Sequence, residues 1–262
     1  MLVTGATDGL GRALAERLAG EGATVLAHAR NEQRGQEALS GLLAGPGDVR
    51  LVVGDLASLA GVHALADQVP DRLDVVVNNA GIGGTLPGEG QRVESQDGYE
   101  LRFAVNYLAG FLLAALLRDR VVAAAPARIV NVASAGQMAI DFDDVMLEHG
   151  YSGSRAYCQS KLAQIMHAFD LAEELGDQGV TATALHPGTY MPTKMVIAAG
   201  TRPVTPLEQG VEATWRLAAD PKLDGVTGRY FFGTDEARAD EQAYDLDARR
   251  RLRELSERLV GR

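Results

Sequence analysis

Apolar residues return along this chain with two different spacings. Short runs rich in Val, Leu, Ile and Ala, such as Leu73-Asp-Val-Val-Val77 and Arg128-Ile-Val-Asn-Val132, alternate with longer stretches where they recur every third or fourth position, as at Leu10, Leu14 and Leu18. The first kind reads as buried strand and the second as amphipathic helix. The pattern predicts strands near 2–4, 23–29, 49–54, 73–78, 127–133, 180–185 and 228–232, and helices near 9–20, 31–43, 58–69, 95–118, 156–175, 206–219 and 245–259. Strand and helix alternate throughout, with no Pro/Ser-rich linker between them. The expected architecture is therefore one α/β domain over 1–262, a doubly wound parallel sheet of about seven strands with helices on both faces. Two segments interrupt the rhythm. Residues 135–155 are long for a strand-to-helix connection, and 189–206, rich in Met, Gly and Pro, lie where a substrate lid would sit.

Composition narrows the possibilities. With 46% apolar residues the 262-residue chain can bury a large core. A net charge of −10 argues against nucleic-acid partners and against anionic membranes. No signal peptide precedes the first strand and no apolar run is long enough to span a bilayer, so the expectation is a cytoplasmic protein without a membrane partner. The single Cys158 forms no internal disulfide, fits a reducing compartment and is read as packing. Asp141, Asp143, Asp144, Glu148 and His149 match no metal-ligand spacing, so the expectation is a solvated acidic loop and no metal.

The chemistry-bearing residues fall at strand ends. Met1-Leu-Val-Thr-Gly5 is a short strand, and Gly9 and Gly11 follow before a helix. A glycine-rich turn between strand and helix lets a pyrophosphate approach free backbone amides and the positive end of the helix dipole. Asp55-Leu56, Asn78-Asn79-Ala80-Gly81, Ala133-Ser134 and His186-Pro187-Gly188 each follow a predicted strand, where open α/β sheets bind ligands. Any one of them is also ordinary turn chemistry. Tyr157 and Lys161 lie four residues apart, about one helical turn, so both project from one helix face. An ammonium beside a phenol favours the phenolate and lowers its pKa, which suits a Tyr that exchanges a proton with a substrate oxygen.

Thr4-Gly5-x-x-x-Gly9-x-Gly11, Asn78-Asn79-Ala80-Gly81, Asn106, Ser134, Tyr157-x-x-x-Lys161 and Pro187-Gly188 together resemble the short-chain dehydrogenase/reductase family over nearly the whole chain. The runs Phe103 to Leu113, Ala127 to Ser134, Ala156 to Ala163 and Leu185 to Gly188 are most similar to its retinol-dehydrogenase-like branch. The resemblance implies a Rossmann-like fold and hydride exchange between a nicotinamide and a carbonyl or alcohol. It implies catalytic roles for Tyr157 as general acid/base, Lys161 as its electrostatic partner and ribose contact, Ser134 as substrate-oxygen donor, and Asn106 as holder of a relay water. It also implies cofactor contacts at Gly5, Thr7, Asp8, Gly9, Leu10, Gly11, Asp55, Leu56, Asn79, Ala80, Gly81, Pro187 and Gly188. A Thr after Pro-Gly holds the carboxamide in the family. Thr193 stands about one residue late for that, and Thr189 is the other candidate. A homodimer or homotetramer through the helices near 95–118 and 156–175 is a further expectation of the resemblance.

The cofactor follows from the end of the second strand. An acidic residue there would bond the adenosine ribose and select NAD. Ala29 and Arg30 stand there instead, and a guanidinium pairs with a 2′-phosphate. NADP(H) is the expectation and NAD(H) the alternative, because Asp8 occupies a place where many NADP-using relatives carry a base and Arg30 is also suited to plain solvation. Arg34 is a secondary candidate. His186, Tyr190 and Met195 are candidate pocket residues, each equally suited to packing; with Met191, Val196 and Ile197 they suggest an apolar small-molecule ketone or secondary alcohol. An epimerase or dehydratase of the same fold with a retained cofactor is the other reading. The intact Tyr/Lys/Ser set argues against a catalytically dead sensor.

Overall fold

Residues 1–39, 46–84 and 91–261 are described by a computed structural model of the chain. In chain order the strands are β1 Leu2–Val3, β2 Thr24–Ala29, β3 Asp48–Val53, β4 Val75–Asn78, β5 Ala127–Val132, β6 Val180–His186, β7 Arg229–Phe232 and β8 Asp235–Ala237. The α-helices are α1 Gly9–Gly20, α2 Glu32–Leu39, α3 Leu59–Ala66, α4 Ala109–Val122, α5 Gly153–Leu175, α6 Lys194–Ala198, α7 Leu207–Ala219 and α8 Leu246–Leu259. One sheet runs β3-β2-β1-β4-β5-β6-β7-β8, parallel except for β8. The order reverses between β1 and β4, which opens a crevice at their C-terminal ends.

The alternation of side chains along each strand feeds two cores. Leu2, Leu26, Val52, Val76 and Ile129 point to the face covered by α3 and α4, with Leu112, Leu113 and Leu117 of α4 against them. Val3, Val25, Val75, Val77 and Val130 point to the other face, covered by Leu10, Leu14 and Leu18 of α1 and by Val211 and Leu217 of α7. Each such buried Leu contributes about 1.5–3 kcal/mol. A third cluster joins Tyr107, Leu162, Ile165 and Met166 to Leu252 of α8. Helix α8 is tied down by Arg249, which pairs with Asp170 and Glu173 of α5, and by a Tyr107 Oη to Ser256 Oγ bond of 2.7 Å. The apolar character of α5 and the helix before it is therefore used, in part, within the chain.

Some predicted boundaries change. The helix expected from 95 begins only after Glu100, because Ser95 Oγ accepts from the Asp97 and Tyr99 amides and folds 95–99 into a turn. Its first turns, Phe103–Leu108, are π-helical, and it runs on to Val122. Helix α5 starts at Gly153, earlier than expected, because Ser152 caps it by accepting from the Arg155 amide. Strand β8 was not predicted, since three residues, two of them acidic, carry no alternation. The part of the helix predicted over 31–43 beyond Leu39 lies outside the described residues. The long connection is folded on its own aspartates: Asp144 accepts from the Glu148 and His149 amides, and Asp141 pairs with Arg155 at 2.8 Å. Among the described residues no helix is long and apolar enough to cross a membrane.

Candidate active site

The strand ends form one row along the C-terminal edge of the sheet, in the order Asp55, Arg30, Gly5, Asn79, Ser134, Pro187. Its centre is an interlocked cradle. Thr4 Oγ1 accepts from the Asn79 and Ala80 amides at 2.9 and 3.0 Å. Asn79 Nδ2 returns a bond of 2.8 Å to the Thr4 carbonyl. Gly5 takes φ +65°, and a Cβ there would lie 2.9 Å from Ala80 Cα. A Cβ on Gly11 would collide with Asn79 Nδ2 and the Gly5 carbonyl. These glycines are thus required by backbone contact between the turn and the end of β4. Asp8 caps α1, accepting from the Gly9 amide at 2.8 Å, so the N-terminus of that helix faces the crevice. Thr7 is half-buried in the turn, whereas Leu10 is buried in the core, which leaves only its backbone for a ligand.

His28 supports the turn from below and had no signal in the sequence. The Gly5 amide donates to His28 Nδ1 at 3.0 Å, which makes Nε2 the protonated nitrogen, donating to the Gly54 carbonyl at 2.8 Å. Burial keeps this imidazole neutral by lowering its pKa. At the ends of the row, Arg30 is exposed at the tip of β2 and Arg34 is exposed one turn into α2. Asp55 Oδ1 accepts from the Ala57 amide at 3.0 Å, and Leu56 is buried beside it.

Helix α5 carries Tyr157 and Lys161 past the ends of β5 and β4. Tyr157 lies beside Ser134: a Cβ on Gly136 would be 3.5 Å from Ser134 Oγ and 3.6 Å from Tyr157 Cε1, and Ser134 Oγ accepts from the Gly136 amide at 3.0 Å. The Lys161 ammonium is 5.7 Å from the Tyr157 ring centroid and 5% exposed. It donates to the Val132 carbonyl at 2.9 Å and to Gln164 Oε1 at 2.8 Å. Asn106 sits in the π-helical turn, a backbone irregularity that recurs at functional sites. Its Oδ1 accepts from the Ile82 amide at 2.7 Å, and its Nδ2 donates to Ser160 Oγ at 2.9 Å. Asn106 Oδ1 and Lys161 Nζ each lie 3.4 Å from the point a Cβ on Gly81 would occupy, so the three meet at one spot.

The electrostatics differ from the expectation. Lys161 was expected to lower the Tyr157 pKa, yet burial pushes the phenol up, with only the Ser134 bond opposing it. Burial also brings Lys161 itself down to about 7. Burial is the largest cause for each group, and the ammonium is turned toward two carbonyl oxygens.

The lid meets the cradle edge-on. Thr193 is not presented as a free donor: its Oγ1 accepts from the Val196 amide and caps α6, while its methyl lies 3.0 Å from the Cβ point of Gly9. Thr189 bonds through Oγ1 to His186 Nε2 at 3.0 Å. His186 therefore has partners the sequence did not reveal; it also packs on Phe232, with ring centroids 4.7 Å apart. Burial, with Lys161 nearby, brings its pKa down to about 4. Pro187 is buried, and Gly188 lies under Thr205. Met195 covers Gly83, and Tyr190 is exposed in a left-handed backbone conformation at φ +47°.

Another group missed in the sequence is Arg102. It is 3% exposed and paired with Glu100, which is 1% exposed. Arg102 donates to the Gly83 and Gly84 carbonyls at 2.8 and 3.0 Å and to Tyr151 Oη at 2.5 Å. The loop after β4, the turn before Asn106 and the long connection are thereby fastened to one buried guanidinium.

A family model described as short chain dehydrogenase matches residues 1–203. The chain is 37% identical to mouse retinol dehydrogenase 14 over 293 residues, covering 100% of this chain and 85% of that protein. A solved structure of an uncharacterised protein from Mycobacterium paratuberculosis superposes with a TM-score of 0.80 at 28% identity, covering 99% of this chain and 92% of that one. A candidate NAD(P)-dependent gluconate 5-dehydrogenase from Beutenbergia cavernae, with NADP bound at low occupancy, gives a TM-score of 0.67 at 30% identity, with coverage of 89% and 94%.

Proposed function

The chain belongs to the short-chain dehydrogenase family, and from that premise we propose that it is an NADP(H)-dependent oxidoreductase interconverting a carbonyl and an alcohol on an apolar small molecule, with Tyr157 as general acid and base. It falls in the retinol-dehydrogenase-like branch and is an NAD(P)-dependent dehydrogenase/reductase acting on CH–OH/C=O groups. The observation that carries the mechanistic part is the placing of Tyr157 beside Ser134, with Lys161 on the same helix face beside the cradle.

The cradle fits a dinucleotide. Gly5 and Gly11 leave the backbone bare where any Cβ would intrude, and the N-terminus of α1 offers free amides for a pyrophosphate. Gly5, Thr7, Gly9 and Gly11 would hold the phosphates. Asp55 and Leu56 would hold the adenine end, Arg30 a 2′-phosphate, and Asn79, Ala80, Gly81 and Lys161 the nicotinamide ribose. Pro187 and Gly188 would lie against the nicotinamide. The bound nicotinamide supplies the hydride chemistry. Ser134 Oγ donates to the substrate oxygen and polarises it. The Tyr157 hydroxyl delivers a proton to that oxygen in reduction and withdraws it in oxidation. Its raised pKa suits the donor role. The withdrawing role draws on the ammonium N–H that the Val132 and Gln164 bonds leave over. Lys161 restores the proton, with Asn106 at its side. The exposed apolar side chains Tyr190, Met195, Ile197 and Val204 on the lid support an apolar substrate.

Thermal-shift titration with NADPH and NADH, followed by a carbonyl panel monitored through nicotinamide absorbance, tests the reading. NADPH should give the larger stabilisation and be consumed with an apolar ketone. Arg30→Ala should weaken NADPH roughly ten- to hundred-fold, the loss of one charge-assisted contact, and leave NADH nearly unchanged. Equal effects on both cofactors would remove the NADP(H) preference.

A further inference from the structure

Lys161 has a partner that the proposed mechanism leaves unused. Gln164 lies three residues further along α5, so its side chain meets Lys161 on the same helix face, and both are buried. An ammonium has three donors and no acceptor, so the amide presents its carbonyl oxygen, at 2.8 Å. The Gln164 main chain is anchored separately: its carbonyl accepts from Asn131 Nδ2 at 2.9 Å, and Asn131 Oδ1 accepts from Asn78 Nδ2 at 2.8 Å. The backbone that carries this side chain is thus fastened to two strands.

No carboxylate bonds to this ammonium among the described residues. The titratable groups facing it are Tyr157 on its own helix and His186 at the end of β6, which burial holds neutral. Cys158 and Tyr230 interact with Tyr157. With no counter-charge, the two carbonyl dipoles of Val132 and Gln164 are what favours the charged form. Two of the three N–H groups are committed to them, which leaves one for a ribose hydroxyl or the phenol.

We propose that Gln164 is a positioning residue that seats the Lys161 ammonium and sets the pH at which it loses its proton, so that one N–H is left for the cofactor side. The proposal rests on the catalytic placement of Lys161 given above. An amide oxygen is a weaker partner than a carboxylate, so it holds the ammonium in place while leaving it titratable near neutrality; burial alone brings Lys161 down to about 7.

The folded-state value lies below the ordinary value of about 10.4. Between the two the unfolded chain binds the extra proton, so stability rises with pH from about 7 to about 10.5. Gln164→Met removes the acceptor at nearly constant size, and the lower edge of that window should move down by about one pH unit. Gln164→Glu is isosteric and adds a counter-charge, and the edge should move up by at least as much. Thermal unfolding of the ligand-free protein across pH, with Lys161→Met as the reference for a difference curve, reads the Lys161 midpoint without any turnover. The pH dependence of the NADPH dissociation constant is the second readout. Midpoint shifts of opposite sign in the two variants are expected, because a merely structural role would loosen both alike. An unmoved midpoint, or movement in one direction for both, overturns the proposal; Gln164→Glu decides it alone should the Met variant not fold. Opposite shifts in a protein that binds no NADPH would uphold the seat and refute the dinucleotide reading. NADPH binding with an unmoved midpoint would do the reverse.

Discussion

The cradle and the lid touch at Gly9 and Thr193, yet they are built in opposite ways. The cradle is assembled from sequence-distant backbone: Thr4 against Asn79 and Ala80, His28 between Gly5 and Gly54, Arg102 against Gly83 and Gly84. Each of these bonds is wholly or partly withdrawn from solvent, so each is costly to leave unmade. The lid is closed at its base by the Val204 and Thr205 amides, bonded to the Tyr190 and Thr189 carbonyls, and anchored by buried Met191. Beyond that base it reaches the cradle through the Met195 and Thr193 contacts and one ion pair of 3.3 Å, Lys194 to Asp8, whose side chains are 85% and 43% exposed. Such a pair contributes little. In the proposed reading, the feature common to all dinucleotides is met by interlocked backbone, and the variable substrate by exposed side chains.

That contrast can be broken from either side. Arg102→Ala should have the largest effect on stability, about 3–5 kcal/mol, because it leaves Glu100 buried and uncompensated and frees the loop after β4. Urea unfolding measures it, and a loss below about 1 kcal/mol would mean that the guanidinium does not organise the loop. Thr4→Val keeps the volume but strands the Ala80 amide and leaves the Asn79 amide only the Val77 carbonyl, for a loss of about 1–3 kcal/mol and a parallel loss of NADPH affinity. Unchanged affinity would show that the cradle tolerates motion. Lys194→Ala should cost less than about 0.5 kcal/mol and leave the NADPH dissociation constant unaltered, its effect confined to substrate KM. A larger loss would place the lid among the rigid parts.

The same contrast explains what could be read from the chain itself. Gly5, Gly9 and Gly11, the strand-end dipeptides and the Tyr157/Lys161 spacing depend on local geometry, so they were legible in one dimension, as were seven of the sheet's eight strands. His28, Arg102, Tyr151 and Gln164 act through partners that the fold alone brings to them, and no spacing announces those partners. The π-helical turn around Asn106 leaves the hydrophobic period nearly unchanged and was invisible for that reason. The electrostatics failed differently. Helical spacing placed the ammonium near the phenol ring, but it could not reveal that both would be buried, with desolvation the largest influence on each.

The central claim is that the Tyr157 hydroxyl moves the proton while the cradle holds the dinucleotide. Tyr157→Phe separates the two functions, and kcat and the NADPH dissociation constant measured on the same preparation test it. The account predicts that turnover falls by about a thousand-fold while the dissociation constant stays within about twofold. Turnover retained within about tenfold of the unaltered protein would contradict it.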